Sequence, residues 1–329
     1  MGSCARRFFR IIAAFAHRMQ PKIVSPAEHK VGIVAIVACG FLWSIAGLLT
    51  RATTVTNGWE ATFWRSSFLA LVIGALLLWR HGRDLPRRTR AMGWYGVVSG
   101  LAWATMLTCF MLALSRTTVA NTLVIFGVLP FFAALAGWLA LREHVPRRTW
   151  FAMAAASAGI GLMFHDAFRT GNATGSLIAL AIPVAAAVNY VAVKLARGRV
   201  DLIPSLALGG ALSALIALPL AFPITAGAGD LALYGALAVF QLAIPGVLYV
   251  SLAVPRLSAA EVGLLSLLEV ILGPLWVWLA RGEEPGATVL VGGLIVITAL
   301  AANEGIALAI ERRALRRALR GTAEGETSR

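Results

Sequence analysis

The chain has 329 residues, 59% of them hydrophobic and only 13% charged, with a mean hydropathy of +0.80 and a formal net charge of +14. Soluble globular chains carry roughly 45–50% apolar and about 25% charged residues, so a packed water-soluble domain is excluded. The nucleic-acid reading that a pI of 11.2 invites falls with it, because the basic residues sit in tails and short loops between apolar runs, as the positive-inside rule distributes them in a membrane protein.

Residues 1–30 form a basic segment. In RRFFRIIAAFAHRM, residues 6–19, Phe8, Ile11, Ile12, Phe15 and Met19 share one helical face, with Arg6, Arg10 and His17 opposite. The apolar run is too short for a span or a signal peptide. It reads as an interfacial helix on the cytoplasmic leaflet, with a disordered basic tail as the alternative. Beyond it, a hydrocarbon core about 30 Å thick needs roughly 20 apolar residues per helix. That criterion predicts ten spans, at 31–50, 60–79, 92–114, 118–141, 149–165, 174–194, 202–222, 231–254, 258–280 and 287–310. Residues 311–329 form a basic tail.

The loops after the even-numbered spans hold Arg80, Arg83, Arg87, Arg88, Arg90, Arg142, Arg147, Arg148, Arg197, Arg199 and Arg256, whereas those after the odd-numbered spans hold only Arg51, Arg116, Arg169 and Arg281. This alternation places both termini in the cytoplasm of a multi-pass protein of the cell membrane. Cys39 and Cys109 lie inside apolar runs and read as small core residues, with no metal-type spacing. Cys4, beside the basic segment, gives weak support to acylation.

A shift of 140 residues brings ALSRTTVANTLVIFGVLPFFAALAGWLALRE (113–143) onto AVPRLSAAEVGLLSLLEVILGPLWVWLARGE (253–283). Eight positions are identical, among them Trp138/Trp278 and Glu143/Glu283, which give the same Trp-Leu-Ala-x-x-Glu ending in register. The unit holds five helices, an odd number, so the second copy crosses the membrane in the opposite sense. The predicted fold is all-α integral membrane, ten transmembrane helices as two inverted five-helix repeats over 31–168 and 172–310. Inverted repeats are a mark of secondary transporters, with the substrate site near the midplane between the halves.

Several stretches, FLWSIAG at 41–47, FWRSSFLAL at 63–71, TTVANTLVIFGVLPFFAALAGWLALRE at 117–143 and SAAEVGLLSLLEVILGPLWVWLARGE at 258–283, resemble an EamA-domain protein of the drug/metabolite transporter superfamily. The resemblance covers both halves, about residues 32–308. It implies export of small metabolites, amino acids or drug-like compounds. Family members often carry Leu-Glu-Pro where this chain has Leu268-Glu269-Val270, with proline only at Pro274.

Glu269 stands halfway along the ninth span. An ionised carboxylate at the bilayer centre costs roughly 2.5–3.5 kcal/mol on insertion scales. It is tolerable facing a cavity, paired, or protonated, and so reads as a substrate or proton-coupling group, against a packing role as a protonated acid bonded to a neighbouring helix. Arg65 is the other deep charge; it cannot relay a proton and reads more readily as a clamp. Trp43, Trp103, Asn121, Asn189, Tyr190, Gln241 and Ser266, with Ser44 and Tyr249, supply enough polarity to line a cavity, although polar groups in lipid serve more often to hold helices together. Trp138, Trp276 and Trp278 read as interfacial anchors, and Glu143 and Glu283 as structural groups at span ends.

An intramembrane enzyme is disfavoured. All four aspartates (Asp84, Asp166, Asp201, Asp230) and all five histidines fall in loops or at span ends, and no phosphate loop, GxSxG or HExxH is present. A scaffold or receptor without transport stays as the alternative, short loops arguing against it. The expected partners are a small-molecule substrate, the lipid bilayer and, as a candidate coupling ion, the proton, with no nucleic acid, metal or cofactor. Two halves in one chain predict a working monomer.

Overall fold

The computed structural model of the chain describes residues 25–141, 173–196, 200–257 and 259–282, with scattered positions between 147 and 162 and between 284 and 310. The amphipathic stretch at 6–19, Glu143, Glu283 and the basic tail lie outside the described residues. Among the described residues there is no strand.

The first helix, α1 (Pro26–Ser44), starts five residues earlier than the apolar count predicts. Ser25 Oγ accepts from the Glu28 amide at 3.2 Å and Glu28 Oε2 accepts from the Ser25 amide at 3.0 Å, a capping box with Pro26 in the first turn. Ser44 Oγ donates back to the Phe41 carbonyl at 2.7 Å, and after Ile45 the helix resumes as α2 (Ala46–Thr50). Next come α3 (Gly58–His81), capped by Asn57, the short basic α4 (Leu85–Ala91), and α5 (Gly93–Leu114). The expected span 118–141 is broken into α6 (Val119–Phe126) and α7 (Leu129–Leu141). Pro130 has no N–H to return to the Phe126 carbonyl, so the ladder fails there.

In the second half, α8 (Ala173–Ala196) carries Pro183 within it and α9 (Ile203–Ala217) follows. The expected span 231–254 is the least regular. It runs as α10 (Ala228–Ala236), a π-helical turn over Leu237–Ala243, α11 (Ile244–Leu248), a second π-helical turn over Tyr249–Ala253, and α12 (Val254–Arg256). Pro245 and Pro255 each remove an amide that a regular helix would aim four residues back, at Gln241 and Ser251, and both targets lie in the π turns. The last long helix is α13 (Ala259–Arg281), with Pro274 inside it. An apolar helical stretch, Leu290–Asn303, falls within the expected span 287–310.

The distribution of polarity is inverted relative to a soluble protein. Trp79, Leu71, Phe151, Leu215, Leu279 and Leu294 are largely exposed, while Ser66, Ser99, Asn121, Asn189, Ser205, Ser213 and Gln241 are buried. Such an apolar surface far exceeds what a water-soluble monomer sustains. Seven helices among the described residues are long and apolar enough to cross a bilayer. The chain is a multi-pass membrane protein.

The principal packing joins residues before 142 to residues after 172. Helix α9 lies against α3 and α5, α8 against α5, α6 and α7, and α13 against α1 and α6. Small residues and hydroxyls make these contacts close. Ser213 Oγ meets Ser66 Oγ and Thr108 Oγ1, each at 2.9 Å, and Ser99 Oγ donates to Asn189 Oδ1 at 2.6 Å and meets Ser205 Oγ at 2.8 Å. A Cβ on Gly210 would stand 2.9 Å from the Ser66 carbonyl oxygen and 3.0 Å from the Ala70 nitrogen, both backbone atoms that cannot swing aside. Gly210→Ala is therefore expected to cost about 1–3 kcal/mol by overpacking, read as a lower Tm in detergent; an unchanged Tm would mean that α9 sits less tightly on α3.

Candidate functional site

Two voids among the described residues bear on the site. The larger, about 550 Å³, opens at the end of the bundle that carries the 51–57 loop, among Arg51, Arg116, Arg281, Ser115, Thr117 and Thr118. Arg51 Nη2 donates to the Thr117 carbonyl at 3.2 Å there. The smaller, about 80 Å³, is interior, and it holds the two deep charges. The charges, and not the size, mark the second as the candidate site, since buried charge is what a membrane protein retains for use.

Its walls come from both halves of the chain. Arg65 on α3, Trp103 and Phe110 on α5, and Trp43 on α1 supply one side. Asn189 on α8, Gln241 and Tyr249 in the two π turns, and Ser266 and Glu269 on α13 supply the other. The π turns matter locally, because an extra residue per turn rotates successive side chains away from regular helical positions. Both Gln241 and Tyr249 face the cavity from such turns. Prolines 245 and 255 were the sequence signal for this irregularity.

Arg65 is 3% exposed and Glu269 5%. Arg65 Nη2 donates to Gln241 Oε1 at 2.7 Å, and the guanidinium carbon lies 5.2 Å from the centre of the Phe110 ring. Arg65 and Glu269 line the same cavity, yet among the described residues no ion pair joins them. Trp43 and Tyr249 pack ring to ring, centroids 5.6 Å apart. Ser266 Oγ donates to the Val262 carbonyl of its own helix at 2.7 Å.

Seven of the nine side chains singled out from the sequence thus line one cavity: Glu269, Arg65, Trp43, Trp103, Asn189, Gln241 and Ser266. The other two do not. Asn121 Nδ2 donates to Thr117 Oγ1 at 2.9 Å and to Ser176 Oγ at 2.8 Å, tying α6 to α8. Tyr190 faces Lys194, whose Nζ lies 5.5 Å from the ring centre. Of the three expected anchor tryptophans, Trp138 and Trp278 are about half exposed, at 47% and 49%. Trp276 instead turns inward, donating its indole N–H to Ser44 Oγ at 3.0 Å. Proximity to a helix end did not settle its direction; a hydroxyl within reach did.

A pair of carboxylates also escaped notice. Glu60 at the start of α3 accepts from the Thr225 amide (2.8 Å), the Thr225 hydroxyl (2.7 Å) and the Ala226 amide (2.7 Å). Asp230 at the start of α10 accepts from the Thr54 amide and hydroxyl, both at 2.7 Å, and from the Gly227 amide at 3.1 Å. The loop at 51–57 and the loop at 221–227 are thereby latched together across the two halves. Both acids sit in first helical turns, where a sequence reader assigns them to local capping. Among the described residues no cluster of ligands fit for a metal ion is present.

The family model for the EamA-like transporter family matches residues 30–165. This segment is similar to an EamA domain. The chain is also 24% identical over 272 residues to the "Pseudopaline exporter CntI" of two Pseudomonas aeruginosa strains, an alignment covering 82% of this chain and 94% of each relative. A solved crystal structure of 19% identity superposes with a TM-score of 0.61 over 84% of this chain and 96% of its own, so the fold is shared. The matched segment contributes Trp43, Arg65, Trp103 and Phe110 to the cavity, and Glu269 comes from the region that follows it. The matched family and both relatives are described as transporters.

Proposed function

We propose that the chain is a secondary transporter of the cell membrane that exports a small metabolite, amino acid or drug-like compound by alternating access. In this reading ten transmembrane helices form two inverted five-helix repeats, 31–168 and 172–310, with both termini cytoplasmic. The single observation that carries it is the interior cavity between the halves, with Glu269 contributed by one and Arg65 by the other. The exporters among the relatives support the direction.

The cavity is small for the task. Ligand sites usually enclose roughly 300–1,000 Å³, against about 80 Å³ here, so substrate entry requires the halves to part. The helices that would move carry the π turns and prolines that let a helix bend. Glu269 takes up a proton from one side and releases it to the other as the cavity alternates, which couples export to proton entry. Trp43, Trp103, Asn189, Gln241, Tyr249 and Ser266 form the walls that contact substrate, while Asn121 ties α6 to α8. One chain carries the whole site and works as a monomer.

The test is flux. Purified protein in liposomes loaded with a pool of amino acids and small metabolites is expected to release one class of compound. Release should be faster into a more acidic bath than into one of equal pH, since protons then run inward as substrate leaves. Release indifferent to the gradient would remove proton coupling, and no release of any compound would remove transport of these classes.

A further inference from the structure

The Arg65 guanidinium is nearly fully buried but under-used. It carries five N–H donors in a planar fork. Only Nη2 is engaged, by Gln241 Oε1 at 2.7 Å. Nε and Nη1 are buried and meet no protein acceptor among the described residues, and the same holds for Trp103 Nε1. Arg65 and Trp103 line the same cavity. Burying donors without acceptors is costly, and a guanidinium held only to lock helices together would have its fork filled by the protein. Gln241, by contrast, fixes the orientation of the fork from a π turn, and the Phe110 ring lies 5.2 Å from its carbon.

We infer that Arg65 and Trp103 form a carboxylate-binding subsite in this cavity, with Gln241 as the residue that positions the arginine. The inference rests on the transport reading above for the cavity's role and adds the chemical class of what it takes. Each bidentate edge of a guanidinium joins Nη2 to Nε or to Nη1. Gln241 takes one of the two Nη2 N–H groups, and the other, together with the unpartnered Nε or Nη1 beside it, is the geometry that a carboxylate engages through two parallel bonds. The indole N–H supplies a further neutral donor. Glu269 does not neutralise the arginine by direct pairing, so the positive charge is kept for an incoming anion. Trp43, Tyr249 and Phe110 offer aromatic walls to the rest of the molecule. The substrate is therefore a carboxylate with an apolar or aromatic body.

The test uses the purified full-length protein in detergent and follows thermal unfolding with four probes: L-phenylalanine, L-phenylalaninamide, 3-phenylpropionate and 3-phenylpropionamide. The two carboxylates are expected to raise the Tm and the two amides, of the same shape but without the anion, are not. Trp103→Phe, which keeps a ring and deletes the N–H, should weaken carboxylate binding about tenfold, and Arg65→Gln should weaken it about a hundredfold. Arg65→Lys keeps the charge and loses the fork; it is expected to bind the carboxylates more weakly than wild type, and it serves where Arg65→Gln fails to fold. Equal stabilisation by acid and amide, or wild-type carboxylate binding in the Arg65 and Trp103 variants, would overturn the subsite. So would the absence of stabilisation by either carboxylate, and that result would leave transport standing, because flux is measured separately.

Discussion

Glu269→Gln is expected to bring gradient-stimulated release from proteoliposomes down to the level of protein-free vesicles. The substitution removes the titratable proton and the negative charge but keeps size and hydrogen-bonding capacity, so the fold has little reason to change. Glu269 is 5% exposed, lines the cavity and has no ion-pair partner among the described residues. A carboxylate kept for packing alone would be bonded across to a neighbouring helix, as Asn121 is to Ser176. Glu269→Asp should retain part of the activity, because it keeps the titrating group while retracting it. Yield and monodispersity of each variant establish insertion before flux is compared. Wild-type flux with unchanged pH dependence in a well-inserted Glu269→Gln protein would return the residue to a structural role.

Breaking the carboxylate latch should open one end of the bundle. The loops at 51–57 and 221–227 follow odd-numbered spans, which the charge rule assigns to the outer side. Five hydrogen bonds to Glu60 and Asp230 join the two sides of this latch, and a sixth, from the Gly227 amide to Asp230, is local. Hydrogen bonds to charged groups contribute roughly 1.5–3 kcal/mol each, and a few kcal/mol is enough to shift a two-state population by orders of magnitude. In a background lacking the native cysteines, Leu242→Cys places a thiol on the cavity wall. Its labelling by a membrane-impermeant maleimide added outside intact cells is expected to rise at least about tenfold when Glu60→Gln is combined with Thr54→Val. The valine deletes the hydroxyl bond to Asp230 without changing charge. Labelling that stays at the parental rate in the double variant would show that closure of this end does not depend on the latch.

Much of the molecule was legible before any coordinates. Length of apolar runs and the rhythm of arginines gave membrane helices, because lipid forces every backbone polar group to be satisfied within its own segment. The cost of charge in that medium singled out Glu269 and Arg65, and the shortage of other polar residues in the spans left few companions to choose from. Seven of the nine chosen residues face one cavity for that reason. What failed had a common cause. Tyr190 and Asn121 have the same composition signal as Asn189, but a side chain's direction follows from helix rotation and from which partner lies within reach, and neither is encoded in its own neighbourhood. The turn of Trp276 toward Ser44 is the same case. The capping box at Ser25 and Glu28 was written in the sequence but hidden from a count of apolar residues.

The sequence by itself determined that this chain lives in a bilayer, where its two deep charges stand along their helices, and that its two parts share a pattern. Those properties depend on transfer energies and on spacing along the chain, which are local. Tertiary structure alone decided that α3, α5 and α9 close on one another through Gly210 and a row of hydroxyls. It alone brought Arg65 to Gln241, 176 residues away along the chain, while leaving Nε and Nη1 buried without a protein acceptor among the described residues. Contacts at such separation arise from how rigid helices pack, and side-chain volume and direction at each crossing fix that packing.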